Sequence, residues 1–205
     1  MNTVLLTGYE PFGDYETNPS ARLASDLDGV TVDGISIVGT ELPVVFDDAR
    51  PLVENEIETH QPDFVIATGL MPGRSALSVE RVGINVRDYD GVPDNADQTP
   101  VDSPISADGP AAYFATLPIR SLVAAARDAD VPARISNTAG THLCNNILYA
   151  TRHYVETNDL AIESGFVHVP FSHEQVARRD EVEPSMSYDA MRRAVRAMVA
   201  TLTDE

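Results

Sequence analysis

The sequence holds one cysteine, Cys144, and five histidines. A lone cysteine is by default a small buried hydrophobe, but the setting of this one suggests chemistry. Asn137-Thr138-Ala139-Gly140-Thr141 is a loop of small residues between a predicted strand, Ala133 to Ser136, and a predicted helix, Cys144 to Thr157. The sulfur therefore falls within or near the first turn of that helix. Free backbone N–H groups and the positive end of the helix dipole favour a thiolate there, so its pKa is expected to drop from about 8.5. The same amides could hold an oxyanion.

A thiol nucleophile needs a base within hydrogen-bond reach. His153 is separated from Cys144 by roughly 900° of helical rotation and about 13 Å of rise, so it faces away. His60 ends an early helix and reads as an exposed C-terminal cation. His142 is two residues from Cys144, where it can line a pocket but aligns poorly as a base. His173 lies in a polar turn. His168 closes the predicted strand Ser164 to Val169, expected to run parallel to Ala133–Ser136 and to end at the sheet edge that carries Cys144. It is the leading base.

The third member of such a site is a carboxylate or amide that orients the imidazole. Glu80 interrupts the alternating run Ala76-Leu77-Ser78-Val79-Glu80-Arg81-Val82, where burial demands a partner. A salt bridge with Arg74, Arg81 or Arg87 is the simpler account of it, and residue chemistry alone selects no carboxylate among 32 acidic residues. Phosphate-binding glycine loops, His-Glu-x-x-His and Gly-x-Ser-x-Gly are absent, which removes support for nucleotide, metal and serine-hydrolase chemistry.

The elements that must position these residues alternate along the chain. Strands are expected at Thr3–Thr7, Ile35–Gly39 (extended or re-entering at Leu42–Phe46), Asp63–Thr68, Ala76–Val86, Ala133–Ser136 and Ser164–Val169. Helices are expected from the Asn18-Pro19 cap to Gly29, over Asp47–His60, Pro118–Asp130, Cys144–Thr157 and Ser185–Leu202. Arg87 to Pro110, rich in Asp, Pro, Gly and Asn, reads as a long loop, hence a binding element, an oligomer contact or a missed strand. The pattern is α/β: an open, mostly parallel twisted sheet with helices on both faces, formed by residues 1–205 as one domain.

Composition narrows the partners. Against 32 acidic residues stand 14 cations, all arginine, for a net charge of −18. Nucleic acid, which needs a positive face, is not expected as a partner. The lysine-free acidic surface suggests a high-salt habitat, where counterions screen self-repulsion. One cysteine excludes an internal disulfide framework and any multi-cysteine metal cluster. With no signal-like N-terminus and no membrane-length apolar run, a cytoplasmic location is expected.

Several blocks resemble pyroglutamyl peptidase type I, also called pyrrolidone-carboxylate peptidase. They are Leu6-Thr7-Gly8-Tyr9-Glu10-Pro11-Phe12-Gly13, Leu42-Pro43-Val44, Gly73-Arg74-Ser75, Val79-Glu80-Arg81, Pro93-Asp94-Asn95, Ala112-Tyr113-Phe114-Ala115-Thr116-Leu117-Pro118, Ser136-Asn137-Thr138-Ala139-Gly140, Leu143-Cys144-Asn145 and Gly165-Phe166-Val167-His168-Val169-Pro170. The resemblance implies a cysteine peptidase that removes an N-terminal pyroglutamyl residue from peptides, with a triad of Cys144, His168 and Glu80, no cofactor, no metal and a homotetrameric assembly. It also implies a pocket in which Tyr9 and Phe12 wall the lactam ring, Leu70 offers main-chain groups, Asn18 braces the loop, and Val92, His142 and Leu143 complete the lining.

Three features depart from the family pattern. Tyr9 stands where phenylalanine is usual, and its hydroxyl needs a partner or water. His142 replaces an aromatic residue. The Arg87–Gly91 segment is one residue longer, with Asp90-Gly91 in place of an expected arginine for which Arg87 is the nearest substitute. These departures leave room for two other functions on the same scaffold, a non-catalytic small-molecule binding protein and a different thiol-dependent amidase.

Overall fold

Burial runs unbroken from Val4 to Tyr9 in the first strand, β1 (Thr3–Tyr9), as a strand covered on both faces requires. The computed structural model describes residues 2–89 and 91–202. After β1 the chain loops to Asn18, whose side-chain oxygen accepts the Ser20 N–H at 3.0 Å and opens α1 (Pro19–Leu27). A short β2 (Thr31–Val32) turns into β3 (Ile35–Leu42). The expected return to strand up to Phe46 does not occur. Phe46 instead starts α2 (Phe46–His60), because the Asp94 carboxylate accepts its N–H at 3.0 Å. That cap comes from a distant loop, since Val45 has no capping side chain.

β4 (Phe64–Leu70) follows. The expected Ala76–Val86 arm is two strands, β5 (Leu77–Glu80) and β6 (Val82–Ile84), split at Arg81. β6 pairs antiparallel with β7 (Ala112–Phe114), a strand too short to show in the hydrophobic pattern. Then come α3 (Ile119–Asp128), β8 (Ala133–Ser136), α4 (Leu143–Thr157), β9 (Glu163–Val169), β10 (Phe171–Ser172), α5 (His173–Val176) and β11 (Ser185–Met186). The last helix, α6 (Tyr188–Val199), starts later than expected because Ser187 caps it, accepting the Ala190 N–H at 3.2 Å.

Seven strands form one sheet in the order β2-β3-β1-β4-β9-β5-β8. β3, β1, β4 and β9 are parallel, while β5 is antiparallel to β9 and parallel to β8. The sheet is therefore mostly parallel, but β8 runs opposite to β9, which corrects the expected parallel pair. The physical reason lies in the connection Met71–Ala76, far shorter than the dozen or so residues a parallel crossover needs. β5 must reverse, and β8 follows its direction. Ser136 stands level with Glu80 and so with Phe166, and the Asn137–His142 loop carries the chain back up to the rim that holds His168.

Helices α1, α3 and α6 cover one face of the sheet through Leu23, Leu122 and Met191, and α2 and α4 cover the other through Val53, Ile147 and Leu148. From β1 the chain crosses by α1 to β3 on one side, then by α2 to β4 on the other. This reversal leaves a crevice beyond the carboxyl ends of β1 and β4, where open α/β sheets bind ligands. Asp88, Tyr89 and Val92 of the long loop border it. Arg87 and Ser103 exchange backbone hydrogen bonds, Asp88 and Thr141 do the same through backbone and hydroxyl groups, and the Asn95 amide donates to Glu10 and Pro11.

Candidate active site

Strand register lines up one row of residues across the rim. Gly69 of β4 pairs with His168 of β9, which pairs with Ser78 of β5, which pairs with Arg134 of β8. Cys144, the second residue of α4, hangs over this row, partly exposed. Gly69 makes room for it: a Cβ there would lie 2.9 Å from Sγ and 2.8 Å from Cζ of buried Phe166. Gly69→Ala is therefore expected to cost about 1–3 kcal/mol of stability by overpacking. It should also lower kcat/KM about a hundredfold by displacing the sulfur, which thermal unfolding and steady-state kinetics measure.

His168 and Glu80 face α4 from the same side of the sheet, on a diagonal between antiparallel strands. Both are buried, and His168 Nδ1 lies 2.8 Å from Glu80 Oε1. With the carboxylate as acceptor, Nδ1 carries the proton and Nε2 keeps its lone pair. No protein group hydrogen-bonds to that Nε2 among the described residues. The arginines considered as partners for Glu80 are engaged elsewhere: Arg74 with the Ser78 hydroxyl, Arg81 with the Asn137 amide oxygen and Arg87 with Asp47.

Burial sets the electrostatics. It pushes the Cys144 thiol up to about 12, and the Glu80 carboxylate adds to the rise, while the residue's own backbone N–H only partly opposes it. The lowering expected at the helix start is thus outweighed by desolvation. Burial likewise lowers the His168 pKa, opposed by the hydrogen bond and charge of Glu80 and reinforced by Arg74. These shifts disfavour proton transfer from the thiol to the imidazole unless charge is stabilised nearby. The sites for that charge are close by. Asn146 donates the first bond into α4, to the His142 carbonyl at 3.0 Å, leaving the N–H groups of Leu143, Cys144 and Asn145 outside the helical ladder.

Cys144 and His168 open into a cavity of about 340 Å³, and Tyr9, Phe12, Asn18, Leu70, Val92, His142 and Leu143 all line it. Glu80 stands behind His168 and does not. The Tyr9 hydroxyl finds its partner in the Leu143 carbonyl at 2.8 Å, tying β1 to the start of α4. Asn18 braces the entrance loop by donating to the Glu10 carbonyl at 3.0 Å. His142 tilts over Tyr89 with ring centroids 4.0 Å apart, Tyr89 stacks on Phe46 at 4.1 Å, and burial lowers the His142 pKa.

Sequence reasoning missed Tyr89, along with Val44, Met71, Pro72, Asp88, Ala139, Gly140 and Thr141 of the lining. Tyr89 had one available signal, an aromatic residue stranded in a polar loop. Asp90, one of the family departures, lies outside the described residues. A larger groove of about 780 Å³, also bounded by the 11–19 loop, is lined by charged residues such as Glu41, Arg22 and Arg178 but by no cysteine or histidine. Size therefore does not single out the cavity that holds Cys144 and His168. His153 is held elsewhere by Tyr113 and Ser106, and His60 sits 3.4 Å from Glu56.

Residues 2–205 match the family profile described as pyroglutamyl peptidase. The pyrrolidone-carboxylate peptidase of Pyrococcus furiosus is 40% identical over 98% of both chains, and that of Pseudomonas fluorescens 46% identical over 98% of this chain and 92% of its own. Among solved structures, the pyrrolidone carboxyl peptidase of Thermococcus litoralis superposes with a TM-score of 0.93 at 36% identity, covering 97% of this chain and 92% of its own. A crystal structure of a mutant enzyme from Pyrococcus furiosus gives 0.92 at 41%, covering 96% of each chain.

Proposed function

The chain belongs to the pyroglutamyl peptidase family and is a cysteine-type hydrolase of that specificity, and on that premise we propose that Cys144 is its nucleophile, His168 its general base and acid, and Glu80 the carboxylate that orients the imidazole. One observation carries the assignment: a partly exposed sulfur at a helix start shares a cavity with an imidazole whose outer nitrogen is free and whose inner nitrogen is fixed by a buried carboxylate.

The chemistry follows from the placement of these groups. As Sγ bonds to the pyroglutamyl carbonyl carbon, its proton passes to His168 Nε2, and Glu80 stabilises the imidazolium across the 2.8 Å contact. The N–H groups at the start of α4 hold the oxyanion. Collapse breaks the C–N bond, and Nε2 returns the proton to the leaving amine. Water then attacks the thioester with His168 taking its proton, releasing pyroglutamate and restoring the thiol.

The substrate is a peptide that begins with pyroglutamate. Its lactam is small and neutral with one N–H and one C=O, which suits apolar walls from Phe12, Val92 and Leu143 beside main-chain groups at Leu70. An N-terminal glutamate would bring an ammonium and a carboxylate into that cavity without compensation. Assembly into a homo-oligomer, a tetramer as in the family pattern, is supported by Val92, Val101 and Phe114, all exposed on the segment between β6 and α3. A cytoplasmic, high-salt setting accords with the single free cysteine and the acidic composition. No helix among the described residues is long and apolar enough to cross a membrane.

The test is release of a chromophore from pyroglutamyl, prolyl and glutamyl anilides in high salt. Turnover of the pyroglutamyl compound is expected to exceed the others about a thousandfold or more. Preference for another acyl group would make the protein a different amidase, and lactam binding without turnover would make it a binding protein.

A further inference from the structure

Two guanidinium groups converge beside the reactive centre without a carboxylate. Arg74 Nη1 donates to the Ser78 hydroxyl at 2.9 Å, and Arg134 Nε approaches the same oxygen at 3.3 Å. Neither arginine forms an ion pair among the described residues. In a chain with a net charge of −18, such a like-charge pair left unneutralised is unexpected. Ser78 itself is fully buried, so it fixes both side chains from below, while Arg134 is exposed and Arg74 half-buried.

Their place in the row across the rim gives them a direction. Register puts Gly69, under the sulfur, next to His168, then Ser78, then Arg134. The acyl pocket lies on the Gly69 side, walled by Tyr9 and Phe12. The amine that leaves must sit at His168 Nε2 to receive its proton, so the released peptide extends away from that pocket, toward Ser78. Neighbouring strands are about 4.8 Å apart, which puts Ser78 about 10 Å from the seat of the sulfur. The α-carboxylate of the first released residue is two bonds beyond the leaving nitrogen and comes within reach of long arginine side chains there.

We propose that Arg74 and Arg134 form a carboxylate subsite on the leaving-group side, so that the enzyme favours substrates with an anionic group just beyond the scissile bond. The inference rests on the peptidase reading above. The occupant is the free α-carboxylate of a pyroglutamyl dipeptide or the side chain of an acidic residue after pyroglutamate; both present the same group, and two guanidinium groups form charge-assisted bonds to it. The pair locally offsets a surface field that otherwise repels anionic peptides.

The experiment compares kcat/KM for pyroglutamyl-alanine, pyroglutamyl-alaninamide and pyroglutamyl-glutamyl amide in the wild-type protein, Arg134→Gln and the double variant with Arg74→Gln. The reading is a ratio within each protein, so general loss of activity does not affect it. In the wild type at low salt at least one carboxylate substrate should exceed the alaninamide about five- to tenfold, and whichever ratio is larger names the source of the carboxylate. The ratio should fall toward one in the variants and shrink as salt rises. A wild-type ratio of one, or a ratio unchanged in both variants, overturns the subsite while leaving the peptidase reading intact. Failure of all three substrates, with the anilide also inert, would instead count against the peptidase reading.

Discussion

Cys144→Ser is expected to lower kcat/KM on a pyroglutamyl anilide by about four orders of magnitude or more while leaving the fold unchanged. The substitution swaps one atom at a partly exposed position, so the cavity and the start of α4 persist. What changes is the proton transfer. Burial raises the Cys144 pKa and lowers that of His168, so a gap already separates the native pair. A hydroxyl is a much weaker acid than a thiol and widens that gap beyond what this base can bridge. Active-site titration with a thiol alkylator should show one reactive group in the wild type and none in the variant. Retention of more than a hundredth of wild-type turnover would remove the sulfur from the mechanism.

How far the sequence reveals this site depends on how local each contact is. The Asn18 cap of α1 is visible because the donor it serves, Ser20, lies two residues away. The cap of α2 is invisible because it comes from Asp94 across the fold, so Phe46 reads as strand. Cys144 and His168 could be paired by expecting ligands at one rim of the sheet. A parallel run does not bring them there, since β8 and β9 run in opposite directions and the Asn137–His142 loop restores the meeting. Glu80 illustrates the limit. Its bond to His168 joins residues 88 apart on strands whose antiparallel pairing no pattern announces, and resemblance to a family rather than residue chemistry picked it out. The thiol's acidity is hidden for the opposite reason: the helix start is local and readable, whereas the burial that outweighs it is a property of the packed whole.

Glu80→Gln tests that buried contact through a pH profile. The amide oxygen can still accept from His168 Nδ1, so the ring keeps its tautomer, but the negative charge that stabilises the imidazolium is gone. A loss of about a hundred- to ten-thousandfold in kcat follows, with a small change in KM. The pH dependence separates this from simple misfolding. On the proposed mechanism, wild-type activity needs neutral His168 in the free enzyme, and burial lowers its pKa, so the acid limb of kcat/KM is expected below the usual histidine value of about 6.5. Of the influences on that imidazole, Glu80 is the one that raises its pKa, through both the hydrogen bond and its charge. Removing its charge leaves burial and the Arg74 charge more weakly opposed, so the limb is expected to move to lower pH even as the maximum rate falls. A base that is easier to deprotonate and yet slower is the signature of lost imidazolium stabilisation in the transition state. An acid limb that stayed in place or moved upward would mean that His168 does not titrate in that limb, and the orienting role of Glu80 would fall with it.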